Sequence, residues 1–263
     1  MDLKIAKRVA AVAASSQGLG FASALELSRE GAYVGICSRD PGRIKEAAGR
    51  IESETGNKVY TVVADVAKAN EARGFVDAVA DKFGRLDILV TNAGGPPPGA
   101  LDDLKDEQIE QAFRLTLESA VTMMRAAVPH MRKNGWGRIV NILSMTVKQP
   151  KITLLLSNTM RPGVLGFAKS ISLELAADKI MVNNVAPGYT RTERLAELAG
   201  NLASRGGITP EAVYKSWEDS VPMGRLGRPE EFGRVVAFLA SDAASYMTGV
   251  TVQVDGGAVL GLF

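Results

Sequence analysis

Short apolar runs alternate along the chain with longer segments in which apolar residues return every three or four positions. The short runs fall at 8–14, 32–37, 58–64, 86–91, 137–143, 181–186 and 251–254. Their Val, Ile and Ala content reads as strands buried on both faces. The longer segments, at 18–30, 43–55, 70–83, 106–133, 159–177 and 229–241, carry the helical period. Strand and helix in alternation imply right-handed crossovers and a parallel sheet covered on both sides. The pattern predicts an α/β fold of Rossmann type: a doubly wound, parallel, seven-stranded sheet with helices on both faces.

Residues 190–222 interrupt this alternation. Doubly wound folds bind ligands beyond the C-terminal ends of their strands, so an insertion there is expected to form a substrate lid. The loop Gly94-Gly95-Pro96-Pro97-Pro98-Gly99 is stiff and short, not an interdomain linker. Residues 1–263 are expected to form a single domain.

Composition narrows the function. Lys and Arg number 31 against 29 Asp and Glu, a net charge of +2, so no nucleic-acid or membrane partner is expected. The single cysteine, Cys37, excludes an internal disulfide and lies in an apolar run, as a core residue does. Together with an N-terminal segment that does not read as a signal peptide, it leads to an expected cytoplasmic location. No cluster of His, Cys and carboxylates suggests a metal. His130, the only histidine, sits near a helix end and reads as a surface or helix-terminal cation.

The first strand runs into Ala14-Ser15-Ser16-Gln17-Gly18-Leu19-Gly20. A glycine-rich turn opening a helix lets backbone approach a pyrophosphate and aims amide donors at it. The second strand ends in Cys37-Ser38-Arg39-Asp40. Ser38 and Arg39 suit a 2′-phosphate, whereas a carboxylate such as Asp40 would suit a free ribose. NADP(H) is therefore expected in preference to NAD(H), with Asp40 as the residue that argues for the alternative.

Further matches follow in order. Asp65-Val66 ends the third strand and Asn92-Ala93-Gly94 the fourth, after Gly84-Arg85-Leu86-Asp87. Ser144 ends the fifth, and Pro187-Gly188-Tyr189-Thr190-Arg191-Thr192 follows the sixth. Gly227-Arg228-Pro229 and Val254-Asp255-Gly256-Gly257 come later. Over nearly its whole length the chain resembles the short-chain dehydrogenase/reductase family, and is most similar to 3-oxoacyl carrier-protein reductase-like members. The resemblance implies cofactor contacts at Ala14, Ser16, Gln17, Gly18, Leu19, Gly20, Ser38, Arg39, Asp65, Val66, Asn92, Ala93, Gly94, Arg161, Pro187, Gly188, Thr190 and Thr192. Gly18 and Gly20 match the family's glycines; Ala14 replaces the first of the three.

The resemblance also places the catalytic positions. Ser144 falls where the family has its serine. The tyrosine and lysine of Tyr-x-x-x-Lys fall on Ser157 and Arg161, and the upstream asparagine on Thr116. A phenol with an ordinary pKa near 10 needs a shift of about three units to serve at neutrality; an aliphatic hydroxyl is a far weaker acid and is shorter. Arginine supplies charge and donors but relays no proton. Tyr189, Lys148 and Lys151 fall on loops that the resemblance places over the nicotinamide and the substrate pocket, and one of them is a candidate substitute proton donor. Pro162 is comfortable only in a first helical turn, which suggests that the helix starts near Ser157, Asn158 or Thr159 and that Ser157 caps it.

The implied function is an NADP(H)-dependent oxidoreductase moving a hydride between nicotinamide and a carbonyl or alcohol, with a small-molecule or acyl-thioester substrate. Two rivals stand beside it: a catalytically silent dinucleotide-binding scaffold, and a non-redox, lyase-type reaction with Ser144 polarising a carbonyl. In this family the segments 106–133 and 159–177 pair across a two-fold axis, and the apolar tail 259–263 is unusual to leave in water. A homotetramer with dihedral symmetry is expected.

Overall fold

Seven strands form one sheet in the order β3-β2-β1-β4-β5-β6-β7 in a computed structural model that describes residues 2–262. Met1 and Phe263, the last residue of the apolar tail, lie outside the described residues. The strands are β1 (Val9–Val12), β2 (Tyr33–Ser38), β3 (Val59–Val63), β4 (Ile88–Thr91), β5 (Gly137–Ile142), β6 (Ile180–Pro187) and β7 (Thr251–Val254). Every neighbouring pair is parallel. Side chains alternate between two apolar layers: Val9 and Ala11 of β1 enter one core, Ala10 and Val12 the other. That two-sided burial is what the unbroken apolar runs specify.

The first layer holds α3 (Ala69–Phe83), α5 (Ser119–Asn134) and α6 (Leu155–Leu175). The opposite layer holds α1 (Gly18–Arg29), α2 (Pro41–Thr55) and α9 (Pro229–Leu239). The chain leaves β1 toward β2 on one side, while β4 lies on the other. This reversal opens a crevice at the C-terminal strand ends, where such folds take ligands.

The structure departs from the sequence pattern at three places. The segment read as one helix over 106–133 is α4 (Asp106–Ala112) and α5, joined by a π-helical turn at Phe113–Glu118. The insertion at 190–222, for which the pattern gave no elements, forms α7 (Glu193–Gly206) and α8 (Pro210–Ser220) around Leu195, Ala199, Val213 and Trp217. Finally, α6 begins at Leu155, so Ser157 lies within its first turn and caps nothing. Pro162 sits inside the helix, where a missing N–H and a ring clash cost about 3 kcal/mol. Burial of Leu156, Met160 and Val164, and the Asn158 side chain bonded to both backbone groups of Lys151, hold the helix through it.

Below the crevice a polar ladder crosses the sheet. Thr91 Oγ1 donates to Asn141 Oδ1 at 2.7 Å, and Asn141 Nδ2 donates to Asn184 Oδ1 at 3.0 Å. All three residues are buried, and the ladder satisfies them in register across β4, β5 and β6.

Candidate active site and dinucleotide cleft

A cleft of about 550 Å³ lies beyond the strand ends. Its floor at one end is the turn after β1, lined by Ala14, Ser16, Gln17, Gly18 and Leu19. Gly20 does not line the cleft; it permits the turn. A Cβ at Gly20 would stand 2.6 Å from the Ala14 carbonyl oxygen and 2.7 Å from Asn92 Nδ2. Asn92 closes this corner by donating to the Ala14 oxygen at 3.0 Å. Ala14 adopts φ +46°, in the left-handed region where an L-residue is strained. The extra methyl at the replaced glycine is thus accommodated by strain rather than by a shift to an ordinary angle.

The residues fit a dinucleotide. Gln17, at the N-terminus of α1, makes no side-chain cap, and the first turn carries no acidic residue. The positive end of the helix is therefore left to face the cleft. Ser38, Arg39, Asp65 and Val66 line the adenosine-side wall, and Asn92, Ala93 and Gly94 the middle. Arg39 is exposed and makes no ion pair among the described residues. Asp40 also borders the cleft, but its Oδ1 accepts from Gly42 N at 2.8 Å and Arg43 N at 3.0 Å. These backbone bonds, chiefly that from Arg43, hold its carboxyl below the usual range. Its carboxylate is committed to capping α2.

At the other end of the cleft stand Ser144, Ser157 and Arg161. Ser144 opens a short turn after β5, and its Oγ accepts from Thr146 N at 3.2 Å, which leaves the hydroxyl hydrogen free. Thr146 Oγ1 lies 3.2 Å from Ser157 Oγ, and Arg161 Nε donates to Ser157 Oγ at 3.1 Å. Arg161 Nη1 donates to the carbonyls of Leu143 at 2.6 Å and Ile142 at 3.2 Å. The i, i+4 spacing on α6 sets Arg161 one turn below Ser157, which is why the two meet. Burial, reinforced by the positive charge of Arg194, pulls the Arg161 guanidinium down to about 10, so it stays charged at neutral pH.

Several expected residues sit elsewhere. Thr116 is buried on the π-helical turn with its Oγ1 unpartnered, and lines a separate cavity of about 10 Å³ beside Arg161 rather than the cleft. Thr190 is buried and bridged to Gly227. Tyr189 does not line the cleft; its ring stacks on Trp217 at 5.2 Å and burial raises its pKa, the wrong direction for an acid. Lys151 lies 5.8 Å over that ring, and neither it nor Lys148 lines the cleft. Pro187, Gly188 and Thr192 do line it, with Thr192 Oγ1 capping α7 by accepting from Leu195 N at 3.2 Å. Cys37 is buried, which pushes its thiol up to about 12 and leaves it inert.

Sequence reasoning missed Arg43, Glu193, Arg194, Glu197 and Leu198, all of which line the cleft. Four of them lie on α7. The signals for both inserted helices were present: Thr192-Glu193 and Thr209-Pro210-Glu211 are N-cap patterns with an acidic first turn.

A parallel doubly wound sheet with a glycine turn, an uncapped helix N-terminus and a cleft at the strand reversal defines a dinucleotide-binding α/β protein. Residues 13–259 match the family described as Enoyl-(Acyl carrier protein) reductase. Tropinone reductase-like 3 of Erythroxylum coca is 33% identical over 251 residues, 95% of this chain and 92% of that one. The 3-oxoacyl-(acyl-carrier-protein) reductase FabG of Aquifex aeolicus is 30% identical over 257 residues, covering 98% and 99%. L-sorbose reductase from Gluconobacter frateurii, solved with NADPH and L-sorbose, superposes with a TM-score of 0.94 at 32% identity over all of both chains. The chain belongs to the short-chain dehydrogenase/reductase family of NAD(P)-dependent oxidoreductases.

Proposed function

We propose that the protein is an NADP(H)-dependent oxidoreductase that interconverts a carbonyl and an alcohol on a small-molecule substrate. One observation carries the cofactor choice: Arg39 borders the cleft without an ionic partner among the described residues, while Asp40 is spent on α2. The sorbose reductase neighbour is a complex with NADPH, which supports the same reading. When bound, the cofactor supplies or takes the hydride.

The chain's own groups do the rest. The free Ser144 hydroxyl hydrogen donates to the carbonyl oxygen and polarises it. Ser157 Oγ already accepts from Arg161, so its hydrogen is free for Thr146 Oγ1 or for the substrate oxygen. Arg161 stabilises negative charge developing at that oxygen through the serine. Ser144, Ser157 and Arg161 are the catalytic groups of this reading; Thr116 and Tyr189 are left as framework. The helices α7 and α8 act as the substrate lid of a single domain. A homotetramer in the cytoplasm is part of the same proposal, and a monomeric mass in light scattering would end that part of it.

A second reading rests on a specific feature. Arg161 is tied to two backbone carbonyls and to Ser157, and no phenol lines the cleft. That arrangement favours cofactor binding without turnover. NADPH titration by fluorescence, followed by absorbance with a panel of ketones, separates the two. Binding with oxidation that falls at least a hundredfold in Ser144→Ala supports the enzyme. Binding without oxidation supports the silent protein, and no binding of either dinucleotide removes both.

A further inference from the structure

Ser144 is followed by a single tight turn, Met145–Val147, whose middle residue touches two serines. Thr146 N donates to Ser144 Oγ at 3.2 Å, and Thr146 Oγ1 lies 3.2 Å from Ser157 Oγ. The turn is held in place. Val147 N donates to Ser144 O at 3.1 Å, Lys148 N donates to Met145 O at 3.0 Å, and Met145 packs with Val221 and Ala258. Thr146 is buried and does not line the cleft, whereas Ser144 and Ser157 do.

A hydroxyl has one hydrogen to give and two lone pairs to receive. Ser157 Oγ already accepts from Arg161 Nε at 3.1 Å. Its contact with Thr146 can run in either direction, and the surroundings of the two hydroxyls decide which. If Ser157 donates, the Thr146 hydrogen needs an acceptor of its own. Among the described residues Thr146 Oγ1 has no partner but Ser157, and Thr146 is only 3% exposed, so that hydrogen would be buried unpaired. If Thr146 donates, both lone pairs of Ser157 are filled and its hydrogen points to the cleft, where solvent or a ligand accepts it. The second arrangement leaves neither hydroxyl unsatisfied.

We propose that Thr146 is a positioning residue: it donates to Ser157 Oγ and so turns the Ser157 hydrogen into the cleft, while its backbone N–H leaves the Ser144 hydrogen free. This inference rests on the reductase reading above, in which both serine hydroxyls donate to the carbonyl oxygen. Two donors on Ser157 Oγ, one of them a guanidinium, polarise its O–H bond and strengthen the bond it gives. In the reduction the carbonyl carbon gains a hydride from NADPH, which becomes NADP⁺. The C=O π pair moves onto the oxygen, which takes a proton from solvent. Thr146 itself forms and breaks no covalent bond.

Thr146→Val keeps the shape and removes the hydroxyl. With ethyl 3-oxobutanoate and NADPH, kcat should fall about tenfold, less than the hundredfold or more expected for losing a direct donor. KM and the NADPH Kd should change less than twofold, and Thr146→Ser should restore most of kcat. In a Ser157→Ala background, Thr146→Val should change kcat less than twofold, because nothing is left to orient. A tenfold loss that persists in that background, or that serine does not rescue, shows that Thr146 acts through packing and overturns the proposal. An unchanged kcat in Thr146→Val overturns it too, and a weaker NADPH Kd with that result assigns the Ser157 hydrogen to the cofactor. Neutron diffraction from the deuterated protein reads the same point without turnover. Deuterium on Thr146 Oγ1 along the line to Ser157 Oγ, with the Ser157 deuterium on the cleft side, upholds the proposal even if no ketone is reduced. A Ser157 deuterium directed at Thr146 refutes it whatever the protein reduces.

Discussion

Arg39→Ala is the sharpest probe of the cofactor assignment. Arg39 is exposed at the cleft margin, so its interaction with a 2′-phosphate takes place in high dielectric. Two unit charges 4 Å apart in water attract by about 1 kcal/mol, and a phosphate of charge near −2 roughly doubles that. Charge-assisted hydrogen bonds add to this, and fixing a long side chain takes back up to about 2 kcal/mol. A net of about 1.4 kcal/mol remains, a tenfold change in Kd. Arg43 stays in the variant, but it is drawn toward Asp40 at 3.8 Å and compensates little. Fluorescence titration should show the NADPH Kd rising about tenfold in Arg39→Ala, with the NADH Kd changed less than twofold. The gap between the variant and wild type should shrink as salt is raised. If both dinucleotides weaken alike, Arg39 holds something other than the 2′-phosphate. If neither changes, the assignment of NADP(H) on this residue is wrong.

Other expectations follow from single features. Ala14→Gly should raise stability by about 1 kcal/mol, the left-handed strain relieved less the entropy of glycine, and lift Tm by about 2 °C; an unchanged or lower Tm contradicts the strained backbone. Glu231 accepts two bonds from Arg225, at 2.8 and 2.7 Å, and one from Arg228 N, which together hold its carboxyl down to about 2. A depressed folded pKa contributes stability above pH 4.5 that fades as pH falls toward 2, so melts of Glu231→Gln should converge on wild type across that window. Parallel curves would show that the pair contributes nothing. Trp136 lies between Arg8 and Arg138, whose guanidinium carbons stand 3.9 and 4.2 Å from its ring, and donates to Asp242 at 3.0 Å. Trp136→Ala should cost about 3 kcal/mol and lower Tm by about 6 °C, without altering NADPH affinity, because it precedes β5 at the end opposite the cleft.

Much of the architecture follows from local pattern. Runs of Val, Ile and Ala at both alternating positions admit only strands covered on two faces, and their alternation with amphipathic segments leaves a doubly wound sheet as the economical packing. The strand reversal, and with it the position of the cleft, comes from that order. The glycine turn, Arg39 and the Ser144 position were legible because each is a local requirement of backbone or charge. Tertiary structure decided matters that involve separate segments. Asp40 and Arg39 are adjacent in sequence, and only the start of α2 shows that one is consumed by a helix cap while the other is free. Pro162 pointed to a later helix start; packing of Leu156, Met160 and Val164 outweighs its local cost and carries Ser157 into the first turn. There Ser157 meets both Arg161, one turn along the same helix, and Thr146 of the turn after β5. Sequence determines what each segment prefers locally; which charges face one another across a cleft is settled by the packing that brings distant segments together.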